Sequence, residues 1–202
     1  MKIPRFEMPG PINGTKFIDE ELIDIKKYFG NAIMTESDSD SYLIRKTVIE
    51  KLEIAMHLLP ENITLKIYNA WQPLETRDAL YDKSNDIEYL TMLYDNIVIP
   101  ASHNSGGAID LTLFDKTTCA ELNMGTKLGN ITEKTVTDYY ETTGADDVRV
   151  NRRLLYVTMI NAGFTNLPSK WWHYDYGNAF WSYYTGKPMM YRGIPDSELP
   201  VI

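Results

Sequence analysis

Two histidines and one aspartate stand where they could share a metal ion. His103 lies in the polar, glycine-bearing loop Ala101-Ser102-His103-Asn104-Ser105-Gly106-Gly107, Asp110 follows it, and His173 sits within Trp171-Trp172-His173-Tyr174-Asp175. Two imidazoles and a carboxylate are the donor set of a catalytic zinc site. Three protein ligands leave a fourth tetrahedral position for water or a scissile carbonyl, whereas structural sites fill all four positions and favour cysteine. The chain has a single cysteine, Cys119, in a polar stretch with no nucleophile motif around it, which reads as a bystander thiol. Spacing alone leaves a second reading open, a capped loop beside a buried histidine. Gly106 and Gly107 weigh against it, because they permit backbone conformations that would fold the loop back so that His103 meets Asp110. The third histidine, His57, lies between Met56 and Leu58 on a helix and is expected to pack there with a hydrogen bond.

The elements that must position these residues follow from periodicity. From Asp40 to Leu59, capping-type residues precede apolar positions at Val48, Leu52, Ala55 and Leu59, which predicts a helix. Pro60-Glu61-Asn62 breaks it, and Ile63, Leu65 and Ile67 alternate with polar residues as in a half-buried strand leading to Trp71-Gln72-Pro73. A helical stretch is expected after Pro73, running toward Leu93. Ala108 to Phe114 predicts a strand with Ile109, Leu111 and Leu113 on one face and Asp110 on the other. Asp146 to Ala162 predicts a second amphipathic helix ending at Gly163, and Trp171 to Tyr176 a short aromatic strand. Helices interspersed with short strands point to an α+β fold, with a central, mainly antiparallel sheet flanked by helices.

Bulk properties bound the rest. A chain of 202 residues suits one domain, taken as 1–202, and 44% hydrophobic residues supply a core. A formal charge of -8, with scattered basic residues, argues against nucleic acid, which demands concentrated Lys and Arg. The opening Met1-Lys2-Ile3-Pro4-Arg5-Phe6 lacks the apolar run of a secretory signal, and no stretch is apolar enough to insert into a membrane. A soluble, cytoplasmic protein is expected.

Ser102-His103-Asn104-Ser105-Gly106-Gly107-Ala108-Ile109-Asp110-Leu111 closely resembles the Ser-His-x-x-Gly-x-Ala-Ile-Asp-Leu signature of the D-alanyl-D-alanine dipeptidases. Asn123-Met124-Gly125, Asn151-Arg152-Arg153-Leu154-Leu155, Asn161-Ala162-Gly163-Phe164 and Trp171-Trp172-His173-Tyr174 match further segments of that family, in order. The resemblance is strong from Pro100 to Tyr176 and thin over the N-terminal third. It implies an α+β zinc peptidase fold with Zn²⁺ held by His103, Asp110 and His173, and a small dipeptide as ligand. Ser102 and Gly129 stand at substrate-contacting positions on this reading.

The sequence departs from that pattern where the chemistry would be done. The family's Glu-Trp-Trp-His places a general base three residues before the last ligand, and here that position is Lys170. A charged ammonium donates three hydrogen bonds and accepts none, so it cannot take a proton from water. The family's Tyr-Arg-Pro arginine, which steadies the scissile carbonyl, is Gln72, with Arg77 on the following segment a remote substitute. The family's aspartate for the substrate ammonium falls at Lys127-Leu128-Gly129. Asp175 is no evident rescue, since active relatives carry Asp-Tyr there as well.

Base loss alone should cost on the order of 10²–10⁴ in rate, and loss of a carbonyl donor a comparable factor. Zinc, Asp110 and an inward-facing Lys170 sum to about +2, against about zero in the ordinary family site, so such a pocket should prefer an anion. The sequence therefore implies a zinc-binding dipeptidase-like protein with weak or altered hydrolysis. The alternative is a catalytically inactive zinc protein holding a small anionic ligand. Trp71, Trp171, Trp172, Tyr174 and Tyr176 around the site are expected mostly to pack the core.

Overall fold

The structure, a computed structural model, describes residues 17–73, 93–94, 97–98 and 102–194. In chain order, β1 (Leu22–Asp24), α1 (Ile25–Phe29), β2 (Met34–Thr35), β3 (Leu43–Arg45) and α2 (Lys46–Leu58) lead to β4 (Ile63–Asn69). A small antiparallel pair, β5 (Leu93–Tyr94) and β6 (Ile97–Val98), comes before β7 (Ala108–Asp115) and β8 (Ala120–Glu121). Then follow α3 (Asp146–Asn161), β9 (Thr165–Asn166), β10 (His173–Asp175) and α4 (Ala179–Thr185). The expected helix after Pro73, with Arg77, lies outside the described residues.

The main sheet runs β2-β4-β7-β10-β9, with β8 folded onto the far end of β7. Among the described residues only the β2–β4 pair is parallel, so the fold is α+β, with a mainly antiparallel sheet and four described helices flanking it. β7 sits in the middle of the sheet, and its first six residues are buried on both faces. Ile109, Leu111 and Leu113 are fully buried, and they join Leu65 and Ile67 of β4, Val48, Ile49 and Leu52 of α2, and Leu155 and Met159 of α3 in one core. Each such side chain removed from water contributes about 1.5–3 kcal/mol, which fixes the register and so the face on which Asp110 emerges.

Two expected boundaries and one expected burial are corrected. The helix read from Asp40 starts at Lys46, because Leu43–Arg45 pairs with β1 and buries Ile44 instead. Its N-terminus takes no cap from its own flank: the Glu20 carboxylate accepts from the Thr47 backbone N–H at 2.9 Å and from its hydroxyl at 2.6 Å. A distant acid thus satisfies the donor end of the helix. The aromatic strand shortens to His173–Asp175, with Trp171 and Trp172 buried in the turn before it. His57 is exposed rather than packed, though its Nδ1 does lie 2.7 Å from the Glu53 carbonyl. Among the described residues no helix is long and apolar enough to cross a membrane.

Candidate metal centre

β7 and β10 pair antiparallel with Asp110 opposite His173, so their side chains leave the sheet on the same face. The His173 Nδ1 lies 2.8 Å from Asp110 Oδ1. His103 comes from a 3-10 turn, Ser102–Ser105, folded back over that face. Gly106 closes the turn at φ +70°, and its N–H donates to the His103 carbonyl at 3.1 Å. Arg45 fastens the loop from outside, its Nε donating to the Ser105 carbonyl and its backbone N–H to that of Gly106, both at 3.0 Å. Gly107 is required by proximity: a Cβ there would stand 2.4 Å from the Tyr176 carbonyl oxygen. His103 Nε2 thereby reaches to 3.4 Å from Asp110 Oδ2.

Ligand atoms of His103, Asp110 and His173 all lie within 4.8 Å of one another. The outer nitrogens are occupied in the way a metal site needs. His103 Nδ1 lies 2.7 Å from the Ala70 carbonyl, an acceptor, so it carries the proton and Nε2 keeps a free lone pair. His173 Nε2 lies 3.2 Å from Ser102 Oγ and 3.3 Å from Asp175 Oδ2, which favours the proton there and leaves Nδ1 for the centre. Two neutral imidazoles and one carboxylate converging on a point fit a divalent metal, and the chemistry of the set suits zinc.

Without a metal, His173 holds a proton beside an ionised Asp110. Burial works against charge on His173, but the Asp175 and Asp110 carboxylates outweigh it and lift the ring to about 9. Burial likewise pushes the Asp110 carboxyl upward, and the neighbouring His103 and His173 overcome it and hold Asp110 well below the usual carboxylate range.

The strand β4 supplies the third side of the site through an irregularity. Lys66 pairs with Thr112 and Ile67 with Leu111, but Asn69, not Tyr68, then stands opposite Asp110. This bulge puts the Asn69 amide on the Asp110 face, where Nδ2 donates to Asp110 Oδ2 at 2.9 Å. Gln72 Nε2 in turn donates to Asn69 Oδ1 at 3.2 Å.

One step along the same sheet face, Thr112 lies two residues beyond Asp110, about 7 Å on at strand spacing. It lines a cavity of about 650 Å³ walled by Met124, Gly125, Leu128 and Trp171. Lys127 borders it, as do two carboxylates the sequence reading did not single out, Glu36 and Glu121. Both are taken up by Lys66, at 2.6 and 2.7 Å, and Glu121 also accepts from the Tyr68 hydroxyl. The Thr112 hydroxyl is buried without a hydrogen-bond partner among the described residues.

The remaining expected site residues are placed as follows. Ser102 touches His173 and belongs to the support of the centre. Gly129 is exposed at φ +81°, with open space where a side chain would go, and it does not border the cavity. Gln72 directs its Nε2 to Asn69. Lys170 is half-buried in the turn before β10, its carbonyl accepting from the His173 N–H at 3.2 Å. Its ammonium has no hydrogen bond or ion pair among the described residues. Asp175 is fully buried behind His173, its other oxygen accepting from Asn178 Nδ2 at 2.6 Å, which shuts it off from water. Sequence reasoning missed Asn69 because strict alternation from Ile63 puts Tyr68 in its place.

Fold and donor set together define an α+β protein with a two-histidine-one-carboxylate group that could hold a metal ion. The sequence model of a family described as D-ala-D-ala dipeptidase matches residues 31–190. The chain belongs to that family. Among similar proteins, a D-alanyl-D-alanine dipeptidase of Escherichia coli (strain K12) is 28% identical over 68% of this chain and 68% of its own. One of Enterococcus faecalis (strain ATCC 700802 / V583) is 24% identical, covering 80% of this chain and 91% of its own. A third, from Synechocystis sp. (strain ATCC 27184 / PCC 6803 / Kazusa), is 22% identical over 70% and 72%.

Proposed function

We propose that the protein is a zinc-binding member of the dipeptidase family whose hydrolysis of D-alanyl-D-alanine is weak or altered, acting in the cytoplasm on a small dipeptide. One observation carries this reading: the His103, Asp110 and His173 donors converge while no described carboxylate takes the place of a general base. The carboxylates in contact with the two imidazoles are Asp110, itself a proposed ligand, and Asp175, sealed behind His173. A zinc ion held by the three residues would supply a Lewis acid for a carbonyl and acidify water.

The chain's own groups then do the following. The Ala70 carbonyl, and for His173 the Asp175 carboxylate beside the Ser102 hydroxyl, favour the imidazole tautomers that face the centre. The cavity beside Thr112 is of a size for a dipeptide and offers Trp171 and Leu128 as apolar walls. At the base position Lys170 brings three donors and no acceptor, so proton removal from water lacks its partner. At the arginine position Gln72 turns its amide nitrogen to Asn69 and offers a carbonyl at most one further neutral donor in place of a fixed cation.

A second reading, an inactive zinc protein that binds a small anion, is favoured by Lys170, whose ammonium is unengaged among the described residues. Counting the buried Asp175 against His173 lowers the formal sum of zinc, Asp110 and Lys170 from about +2 to about +1, still positive.

Release of D-alanine from D-alanyl-D-alanine by zinc-loaded protein separates these. The reading expects wild type far below an ordinary enzymatic rate of about 1–10³ per second, with gain in the Gln72→Arg/Lys170→Glu double variant. Ordinary turnover by wild type overturns it. A wild type inert toward the dipeptide that binds phosphate or acetate, and loses that binding in Lys170→Glu, supports the second reading.

A further inference from the structure

The segment Asn69–Gln72 touches the centre at two ligands, and its side chains form a chain of fixed polarity. We propose that Asn69 and Gln72 are an oriented amide relay that sets the Asp110 carboxylate for metal binding, making both of them positioning residues. The inference rests on the proposed metal centre and goes beyond it, because neither residue is a ligand.

The polarity is forced from the carboxylate outward. Ionised Asp110 only accepts hydrogen bonds, so Asn69 must turn Nδ2 toward it, at 2.9 Å. That leaves Asn69 Oδ1 facing Gln72, where only a donor is tolerated, and Gln72 Nε2 supplies it at 3.2 Å. The acidic side chain at the end of the chain therefore dictates which way both amides point. Neutral donors tether Asp110 Oδ2 without cancelling its charge, and Oδ1 stays beside His173.

The backbone is shaped to the same end. Regular pairing would bring Tyr68 opposite Asp110, and the register shift after Ile67 brings Asn69 there instead. A bulge forfeits regular ladder bonding, and such irregularities re-aim side chains beside sites. The far end of the relay is anchored. Asn104 Nδ2 donates to the Gln72 carbonyl at 3.3 Å, and Trp71 is held by its backbone N–H to Leu43 at 2.8 Å and by its indole N–H to Asn104 at 3.0 Å. Ala70, between them, presents its carbonyl to His103 Nδ1. One four-residue stretch thus orients two of the three proposed ligands, and Asn104 ties it to the loop that carries His103.

The test is zinc affinity of the full chain, by competition with a chromogenic chelator, for wild type, Asn69→Ala, Gln72→Met and the double variant, with the metal-free melting temperature of each. The relay predicts a loss of about 10–100-fold for Asn69→Ala, the usual cost of removing a partner that orients a ligand. Gln72→Met should lose a smaller factor, and the double variant should match Asn69→Ala alone, because Gln72 acts only through Asn69. Unchanged affinity in Asn69→Ala, or a double variant with the full product of both losses, overturns the relay. If Asn69→Ala does not fold, Gln72→Met decides: weaker zinc at an unchanged metal-free melting temperature supports the proposal, and unchanged affinity refutes it. A wild type that takes up no zinc overturns the metal reading and the relay together, whereas zinc uptake indifferent to Asn69 overturns the relay alone.

Discussion

Asp110 and His173 stand opposite each other on adjacent antiparallel strands, and their side chains close to 2.8 Å between Oδ1 and Nδ1. Both are buried, and the strands carrying them lie in the middle of the sheet, where Ile109 and Leu111 lock the register from the other face. A site on rigid strands is held in place before any ligand arrives. His103 is the member delivered by a turn, which is why Gly106, Gly107 and Arg45 are needed around it.

The proximity of these groups makes the metal-free protein pH-sensitive. His173 is lifted from its ordinary 6.5 to about 9, so the folded state holds this proton more tightly than the unfolded chain does. The resulting stability is complete below 6.5 and is lost as pH rises through about 9. Urea midpoints of metal-free protein should fall between pH about 6 and about 9.5, and the fall should shrink in His173→Gln. A midpoint that rises over that interval would contradict the assignment.

Gly107→Ala should destabilise through its backbone neighbour. The added Cβ would sit 2.4 Å from the Tyr176 carbonyl oxygen, and the Tyr176 N–H donates to the Gly107 carbonyl at 2.7 Å, so neither chain can yield without breaking that bond. A loss of about 1–3 kcal/mol in chemical denaturation is expected, the usual range for overpacking.

Arg152 shapes the cavity wall from within. It is buried, and its guanidinium donates to the carbonyls of Met124, Val136 and Lys134 at 2.9, 2.8 and 2.7 Å while lying over the Tyr140 and Trp171 rings. Arg152→Met would leave three carbonyls without their donor. The expected cost is on the order of 3 kcal/mol, read as a lower melting temperature.

Much of this was legible in the sequence. Ile63, Leu65 and Ile67 and then Ile109, Leu111 and Leu113 alternate cleanly, so two central strands and the outward direction of Asp110 followed from period alone. The α3 helix, with Asp146 and Asp147 in its first turn and Gly163 just beyond it, was equally local. Leu43–Arg45 was not, because its partner strand lies some twenty residues away and tertiary pairing overrode the capping-type residues before it. The bulge at Asn69 leaves no mark in composition, so the support of Asp110 stayed hidden, as did the pairing of Glu36 and Glu121 with Lys66.

Bound zinc should raise stability by mass action. With free zinc at 100 times its dissociation constant, the gain is about 2.7 kcal/mol, and a chelator should reverse it as a drop in melting temperature. Asp110→Asn should show little or no zinc-dependent shift.

The most direct measurement is calorimetric titration of zinc into metal-free protein, with His103→Ala and His173→Ala alongside. The proposed centre requires one equivalent bound by wild type and a large loss of affinity in each variant while the fold is kept. Equal zinc binding in wild type and both variants would contradict it.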